Sequence, residues 1–173
     1  EQFKESYRTK DGEMYLPDID PYYYTQGARN IVEHGHVGEY LNEDGIPMNA
    51  LQTAPIDEPA ERHFHMYFMA YFAKVVRWFN ADARLMTIFA WAPVIVSSLG
   101  AIPMFFVAYR YGGAVSGFFA AILLVVNNVL IARTSAGVSD TDSYTMVFPL
   151  FVFWIFLTAF EAQSSKKHLI YSI

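Results

Sequence analysis

Two short clusters of carboxylates are the residues in this chain whose types and spacing could do chemistry. The first cluster holds Asp18 and Asp20, and the second holds Asp140 and Asp142. Carboxylate oxygens are ligands that hard divalent cations prefer, and such cations support chemistry on phosphate-bearing substrates. Oxygen-only ligands favour Mg²⁺ or Mn²⁺ over Zn²⁺. The pattern therefore predicts a cation site if the fold brings the two clusters together.

Each cluster also has a simpler structural interpretation. Asp20 precedes Pro21, which is typical of a helix start with Asp at the N-cap and Pro at the first helical position. Asp140 or Asp142 could cap the next helix in the same way. Arg133, just before the second cluster, could be an interfacial anchor, a contact to a substrate phosphate or a counter-charge for the acids. The single motifs leave these alternatives open.

The histidines are a weaker candidate for metal chemistry. Four of the five form two pairs, His34 with His36 and His63 with His65. Residues i and i+2 do not share a helical face, and the chain contains no cysteine. The pattern therefore does not favour zinc, and it predicts surface or interfacial histidines.

The composition indicates a membrane protein. The 173 residues are 54% hydrophobic and 17% aromatic, and the mean hydropathy is +0.20, which is too apolar for an ordinary soluble domain. The formal net charge of −5 argues against nucleic-acid binding, which requires clustered Lys and Arg. The lack of cysteine excludes disulfides and thiolate metal sites.

Three apolar segments predict membrane-spanning helices, at residues 85–109, 114–132 and 143–160. The first two are separated by a tight turn at residues 110–113. A helix of about 20 residues crosses a hydrocarbon core of roughly 30 Å. Two crossings return the chain to the side it left, so both acidic clusters should meet the same water layer. Lys166, after the third segment, should lie on the other side.

These segments divide the chain into two predicted parts. Residues 1–82 form a first loop outside the membrane that contains the first acidic motif and a membrane-surface helix. Residues 83–173 contain the three transmembrane helices, with the Asp-x-Asp loop at residues 133–142 on the same side of the membrane as the first loop. The predicted fold class is an all-α membrane protein with a multi-span helical bundle. We expect the chain to be a fragment of a larger protein.

Within the first part, the turn and helix signals predict three regions. A helix should run from Asp20 and stop at His34-Gly35, because glycine commonly ends helices. Residues 38–60 contain Gly, Asn, Asp and Pro and predict an irregular loop. Residues 62–80 predict a helix that lies on the membrane surface, because its apolar stretch is too short to span.

The order of these motifs resembles that of one known family. Asp20-Pro21-Tyr22 opens an outer loop, a surface helix and two spans follow, and the run from Arg133 to Asp142 opens the next span. This order is similar to that in the catalytic subunit of oligosaccharyltransferase, in particular its archaeal and bacterial single-subunit forms. These are membrane glycosyltransferases of the GT-C architecture. The resemblance covers the chain from about Asp18 to its end.

The resemblance implies a multi-pass protein of the cell membrane with its active site on the extracytoplasmic face. Members of this family move an oligosaccharide from a polyprenyl (dolichyl-type) phosphate or pyrophosphate carrier to Asn in an Asn-x-Ser/Thr sequence of an acceptor polypeptide. Asp20 is similar to the catalytic residue that binds the metal, Mn²⁺ or Mg²⁺, and contacts the acceptor amide. Asp140 and Asp142 match the second set of metal ligands, and Arg133 matches the Arg near the lipid-linked donor.

The chain also departs from the family pattern. The family uses a further carboxylate from a later outer loop and a Trp-Trp-Asp motif in a soluble C-terminal domain, and this chain has neither. A first span before Asp18 is missing as well. We therefore expect an N-terminal fragment that is inactive alone.

Two other functions fit part of the pattern. One is another GT-C transferase of lipid-linked sugars, such as a protein O-mannosyltransferase, although such enzymes do not typically carry the second Arg…Asp-x-Asp motif. The other is a non-enzymatic cation-binding membrane protein or transporter. A transporter is expected to carry charged residues inside its spans, and the three predicted spans contain none.

Overall fold

A computed structural model describes residues 12–51 and 54–161 of the chain. The predicted position of Lys166 lies outside this described part. The chain forms two compact units. The first contains the residues up to Ala92 together with Ala136–Asp140, and the second contains Pro93–Ser135 and the residues from Thr141 onward. Most of the described residues are helical.

The first helix, α1, covers Ile19–Glu33. Its N-cap is Asp18, whose carboxylate accepts the N–H of Ile19 at 2.7 Å, so the prediction that Asp20 caps this helix is wrong. Pro21 fits the first turn because backbone N–H groups there have no helical partner. The helix ends as predicted: His34 is the C-cap, and Gly35 follows with φ +84°.

A small antiparallel sheet follows α1. Its strands are β1 (Tyr40–Leu41), β2 (Pro47–Asn49) and β3 (Glu58–Pro59), in the order β1-β2-β3. The prediction of an irregular loop over residues 38–60 is therefore wrong. The first turn is held by Asn42, whose side-chain oxygen accepts backbone N–H groups from both Asp44 and Ile46.

Helix α2, Phe64–Phe79, packs against α1. Its buried face includes Met66, Met69 and Ala73. The approach is close at Gly27 of α1, where a Cβ atom would lie 2.4 Å from the sulfur of Met66. The opposite face of α2 leaves large apolar side chains exposed, namely Phe64, Tyr71, Val75, Trp78 and Phe79.

Helix α3, Leu85–Leu99, is followed by α4, Ala101–Val125. Gly113 interrupts α4 with φ 70° and ψ −167°. A Cβ atom at Gly100 would lie 3.4 Å from the Leu124 side chain, although these two residues would be about 36 Å apart along a straight helix. The chain therefore reverses direction at Gly113, within the turn predicted at residues 110–113.

The second arm of this hairpin is shorter than expected. The chain leaves the helix after Val125, and Asn127 caps a new helix, α5 (Asn128–Thr134), by accepting the N–H groups of Val129 and Leu130. The predicted unbroken helix over residues 114–132 is therefore wrong. Asparagine at this position favours a cap because its side chain competes with the helical hydrogen bonds.

The last helix, α6, covers Asp142–Phe160. Arg110, beside the reversal in α4, forms an ion pair of 2.7 Å with Glu161 just past the end of α6. With 19 residues, α6 is about 28 Å long. Two helical stretches, Leu85–Val125 and Asp142–Phe160, are long and apolar enough to cross a membrane.

Candidate active site

Asp20 lies at the second position of α1 and is exposed. Because Asp18 caps the helix, Asp20 is not needed for that role. Asp20 forms no hydrogen bond or ion pair with any residue that the structure describes. No described residue therefore occupies the Asp20 carboxylate, and a ligand can approach it.

The loop that carries Asp140 lies beside the start of the first acidic motif. A Cβ atom at Gly137 would lie 3.6 Å from Pro17 and 3.8 Å from the sulfur of Met14. Pro17 is three residues before Asp20, and Gly137 is three residues before Asp140. The first unit thus brings together two segments that are more than a hundred residues apart in sequence.

His65 lies next to this loop and was not predicted as part of the site. It is 1% exposed, and its Nε2 lies 3.3 Å from the carbonyl oxygen of Ser139. Burial lowers the pKa of His65 to about 4, although the Ser139 carbonyl and the Asp140 charge both oppose this shift. The imidazole is therefore neutral near pH 7, and Nε2 donates its proton to the carbonyl.

The prediction of a surface position is wrong for His65. Its ring packs edge-on against Tyr24 of α1, with centroids 5.3 Å apart. The sequence did contain a signal for this burial. His65, Met69 and Ala73 recur at four-residue intervals, which places them on one apolar helical face.

Arg133 and Asp142 form an ion pair in the second unit. Nη1 of Arg133 lies 3.3 Å from Oδ2 of Asp142, and the two side chains are 73% and 34% exposed. Asp142 is also the first residue of α6, where a negative charge interacts favourably with the helix dipole. The contact holds the arginine beside the acidic motif and leaves most of its guanidinium open to solvent.

The donor set suits a hard cation but is incomplete. Carboxylates alone fit Mg²⁺ or Mn²⁺ better than zinc. Within residues 12–51 and 54–161, however, no three His, Cys, Asp or Glu side chains are grouped closely enough to hold a metal ion. A cation bound to these carboxylates would need further ligands.

A cavity of about 540 Å³ opens in the first unit beside the helix that carries Asp20. Tyr22 and Tyr23 line it, next to Gln26, Arg29 and Glu61. The Tyr23 hydroxyl contacts Glu61 at 3.4 Å, and burial together with the Glu61 charge raises the pKa of Tyr23 to about 12. A cavity with aromatic rings, an amide and charges of both signs can bind a polar chain such as a peptide or a sugar.

Two apolar helical stretches of membrane-spanning length are typical of a helical membrane protein, and an exposed carboxylate at a helix start supplies a polar candidate site. A comparison with protein families makes the assignment specific. The family described as Oligosaccharyl transferase STT3, N-terminal, matches residues 1–173, so the chain belongs to this family.

Individual relatives agree with this assignment. The chain is similar to a dolichyl-phosphooligosaccharide-protein glycotransferase of Methanococcus voltae, with 30% identity over 179 residues, and to one of Methanocaldococcus jannaschii, with 30% identity over 169 residues. These alignments cover 100% and 94% of the chain. An undecaprenyl-diphosphooligosaccharide–protein glycotransferase of Campylobacter jejuni is 26% identical over 142 residues, 82% of the chain. The chain spans only 20%, 18% and 17% of these three relatives.

Proposed function

We propose that this chain is the N-terminal part of a membrane oligosaccharyltransferase. The enzyme transfers a glycan from a polyprenyl phosphate or pyrophosphate carrier to the side-chain amide of Asn in Asn-x-Ser/Thr sequences. Membership of the family and the names of the relatives support this function. The structural observation that carries it is the contact region of Pro17 and Gly137, which brings the segments bearing Asp20 and Asp140 together.

Asp20 is the proposed catalytic carboxylate. An amide nitrogen is a poor nucleophile because its lone pair is delocalised into the carbonyl. A carboxylate that accepts the amide N–H bonds can polarise the group and receive the proton that leaves when nitrogen attacks the sugar. The new bond joins nitrogen to the anomeric carbon, the bond from that carbon to the phosphate oxygen breaks, and the configuration inverts. The exposed position of Asp20 permits this approach.

The remaining acidic residues have a supporting role in this proposal. From their motif positions, we assign Asp140 and Asp142 as ligands of Mn²⁺ or Mg²⁺. Asp20 would share this cation, together with carboxylates from a later part of the longer protein. A bound divalent cation supplies charge neutralisation for the leaving phosphate. Arg133 keeps most of its guanidinium exposed, and we assign it to the donor phosphate, which guanidinium groups bind well.

The proposed membrane arrangement has three crossings. Helix α3 with the first arm of α4 crosses in one direction, the second arm of α4 continued by α5 crosses back, and α6 crosses again. This arrangement puts both acidic motifs on the extracytoplasmic face. The exposed aromatic face of α2, which ends in Trp78 and Phe79, then lies in the lipid boundary, where Trp is enriched.

Asp20→Asn in the full-length protein tests this function. Asn is nearly isosteric with Asp but lacks the charge that the acceptor amide and the cation require. We expect the variant to remain folded and to transfer glycan to a fluorescent Asn-x-Thr peptide roughly 10²-fold more slowly than the parent. Asp44→Asn, in the exposed turn of the sheet, should retain the parental rate. Parental turnover by a folded Asp20→Asn protein would exclude Asp20 as the catalytic carboxylate.

The same assay separates the runner-up enzyme class. A peptide in which the acceptor Asn is replaced by Gln and the Thr is kept should receive no glycan from an oligosaccharyltransferase. Transfer of sugar to the hydroxyl of that peptide would instead identify an O-glycosyltransferase of the same architecture.

A further inference from the structure

Pro93 changes the hydrogen bonding of α3 next to the acidic loop. In a helix, the N–H of each residue donates to the carbonyl four residues earlier, and proline has no N–H. The carbonyl of Phe89 therefore has no helical donor. Phe89 is completely buried, so water cannot easily replace that donor, and an unpaired buried carbonyl is costly.

The loop that carries Asp140 supplies hydrogen bonds to this part of α3. The Ser139 hydroxyl donates to the Phe89 carbonyl at 2.9 Å. One residue further along the helix, the carbonyl of Ala90 accepts the backbone N–H of Gly137 at 3.0 Å. Gly137 has φ +100°, which residues with a side chain rarely adopt. The loop is therefore shaped to reach the carbonyls that precede the proline.

Ser139 is held from a second direction as well. Its own carbonyl receives the hydrogen bond from His65 of α2. Ser139 is completely buried, so its hydroxyl and its carbonyl are both fixed by protein groups. The next residue in the chain is Asp140, one of the proposed metal ligands. These two hydrogen bonds fix the position of Ser139, and through the peptide bond they restrict the position of Asp140.

We propose that Ser139 is a positioning residue for Asp140, anchored by the Phe89 carbonyl that Pro93 leaves free and by His65. This inference rests on the proposed function, because it concerns a ligand of the proposed cation. Groups that orient a metal ligand commonly change metal affinity or activity by about 10–100-fold when they are removed. Ser139 touches neither substrate nor cation in this proposal, and it acts only through Asp140.

The test compares Ser139→Ala with Ser97→Ala in the full-length protein. Ser97 is a matched control, because its buried hydroxyl also donates to a carbonyl of α3, that of Val94 at 3.0 Å. The first readout is the amount of Mn²⁺ that binds without substrate, which is measured from the electron paramagnetic resonance signal of the remaining free ion. We expect Ser139→Ala to raise the half-saturating Mn²⁺ concentration about tenfold and Ser97→Ala to leave it unchanged.

A second readout does not involve the metal. In metal-free protein, Ser139→Ala should speed amide hydrogen exchange of a peptide covering residues 136–142 about fivefold, as expected when a local hydrogen bond is lost. His65 provides a further pair of variants. His65→Gln keeps a donor for the Ser139 carbonyl and should bind Mn²⁺ more tightly than His65→Phe, which has none.

The possible outcomes separate this inference from the proposed function. If the parent protein binds no Mn²⁺, the proposed cation role fails and this inference fails with it. If the parent binds Mn²⁺ and Ser139→Ala binds it equally well with parental exchange rates, the positioning role alone is excluded. If Ser139→Ala is too unstable to measure, the two His65 variants decide. Equal Mn²⁺ affinities of His65→Gln and His65→Phe would overturn the inference.

Discussion

Arg133 donates to the carboxylate of Asp142 over 3.3 Å, and this ion pair links the end of α5 to the first residue of α6. Exposed ion pairs of this kind contribute at most about 1 kcal/mol to stability. The pair is therefore too weak to explain Arg133 as a structural element alone. The guanidinium is 73% exposed, so it keeps N–H donors open to a further partner, and our proposal assigns these to the donor phosphate.

We therefore predict that Arg133→Met weakens binding of the lipid-linked donor. In the full-length protein, the KM for the donor should rise about tenfold, the factor for a lost charge-assisted contact, while the KM for the acceptor peptide stays the same. Arg110→Met removes an ion pair at the other end of α6 and should change neither KM. An unchanged KM for the donor in folded Arg133→Met would contradict a role for Arg133 in donor binding.

The proposed topology makes a second prediction. Tyr111 is 75% exposed at the reversal beside Gly113, and Asp44 is exposed in the turn between β1 and β2. In cysteine-free full-length protein, Asp44→Cys should react with an impermeant thiol reagent added outside intact cells. Tyr111→Cys and Lys166→Cys should react only after the membrane is opened. Labelling of Asp44→Cys and Tyr111→Cys from the same side would contradict the crossing of the first arm.

Several features of the fold could be predicted from local signals. Gly35 ends α1 and Gly113 interrupts α4, both with positive φ, and glycine is the residue that tolerates such backbone angles. The order of the acidic motifs also predicts the family to which the chain belongs. These signals are strong because each depends on a few neighbouring residues.

Other features depend on choices that local signals do not settle. Asp18 and Asp20 are both good N-cap residues, and the structure uses Asp18, so residue type could not decide between them. The loop predicted over residues 38–60 contains no hairpin, although Asp44-Gly45 between β1 and β2 is a strong turn signal for one. Its strands are only two and three residues long, too short to show an alternating pattern.

The connection between Ser139 and Phe89 could not be predicted from the sequence at all. The two residues are fifty positions apart, and only the fold brings them together. Proline removes a helical N–H wherever it stands, but the sequence does not say which group replaces the one missing at Pro93. Contacts of this kind depend on how distant segments pack, and no local pattern in the sequence reports that packing.

The N-cap assignment leads to a third prediction, which separates Asp18 from Asp20. Asp18→Ala removes the side chain that accepts the N–H of Ile19 and should lower the free energy of unfolding by about 1 kcal/mol. Asp18→Asn should restore stability because Asn is an equally good cap. Thermal unfolding of the full-length protein measures both changes. Asp20→Ala should leave stability nearly unchanged and reduce glycan transfer, and the reverse pattern would exchange the roles of the two residues.

The last prediction concerns the pH dependence of stability through His65. Its pKa in the folded protein is lowered to about 4 from an ordinary value of 6.5. Above pH 6.5 the imidazole is neutral in both the folded and the unfolded chain, so the full stability is present there. As the pH falls from 6.5 towards 4, the unfolded chain gains a proton that the folded chain excludes. The folded state should therefore lose roughly 3 kcal/mol over this range.

Thermal unfolding of the full-length protein at a series of pH values checks this expectation. His65→Gln carries no titrating group at this position, so its unfolding temperature should fall less steeply between pH 7 and pH 5 than that of the parent. Ser139, Asp140, His63 and Tyr24 all lie around His65 and remain in the variant, so the difference between the two curves reports His65. Parallel curves for the parent and His65→Gln would show that His65 is not buried in its neutral form.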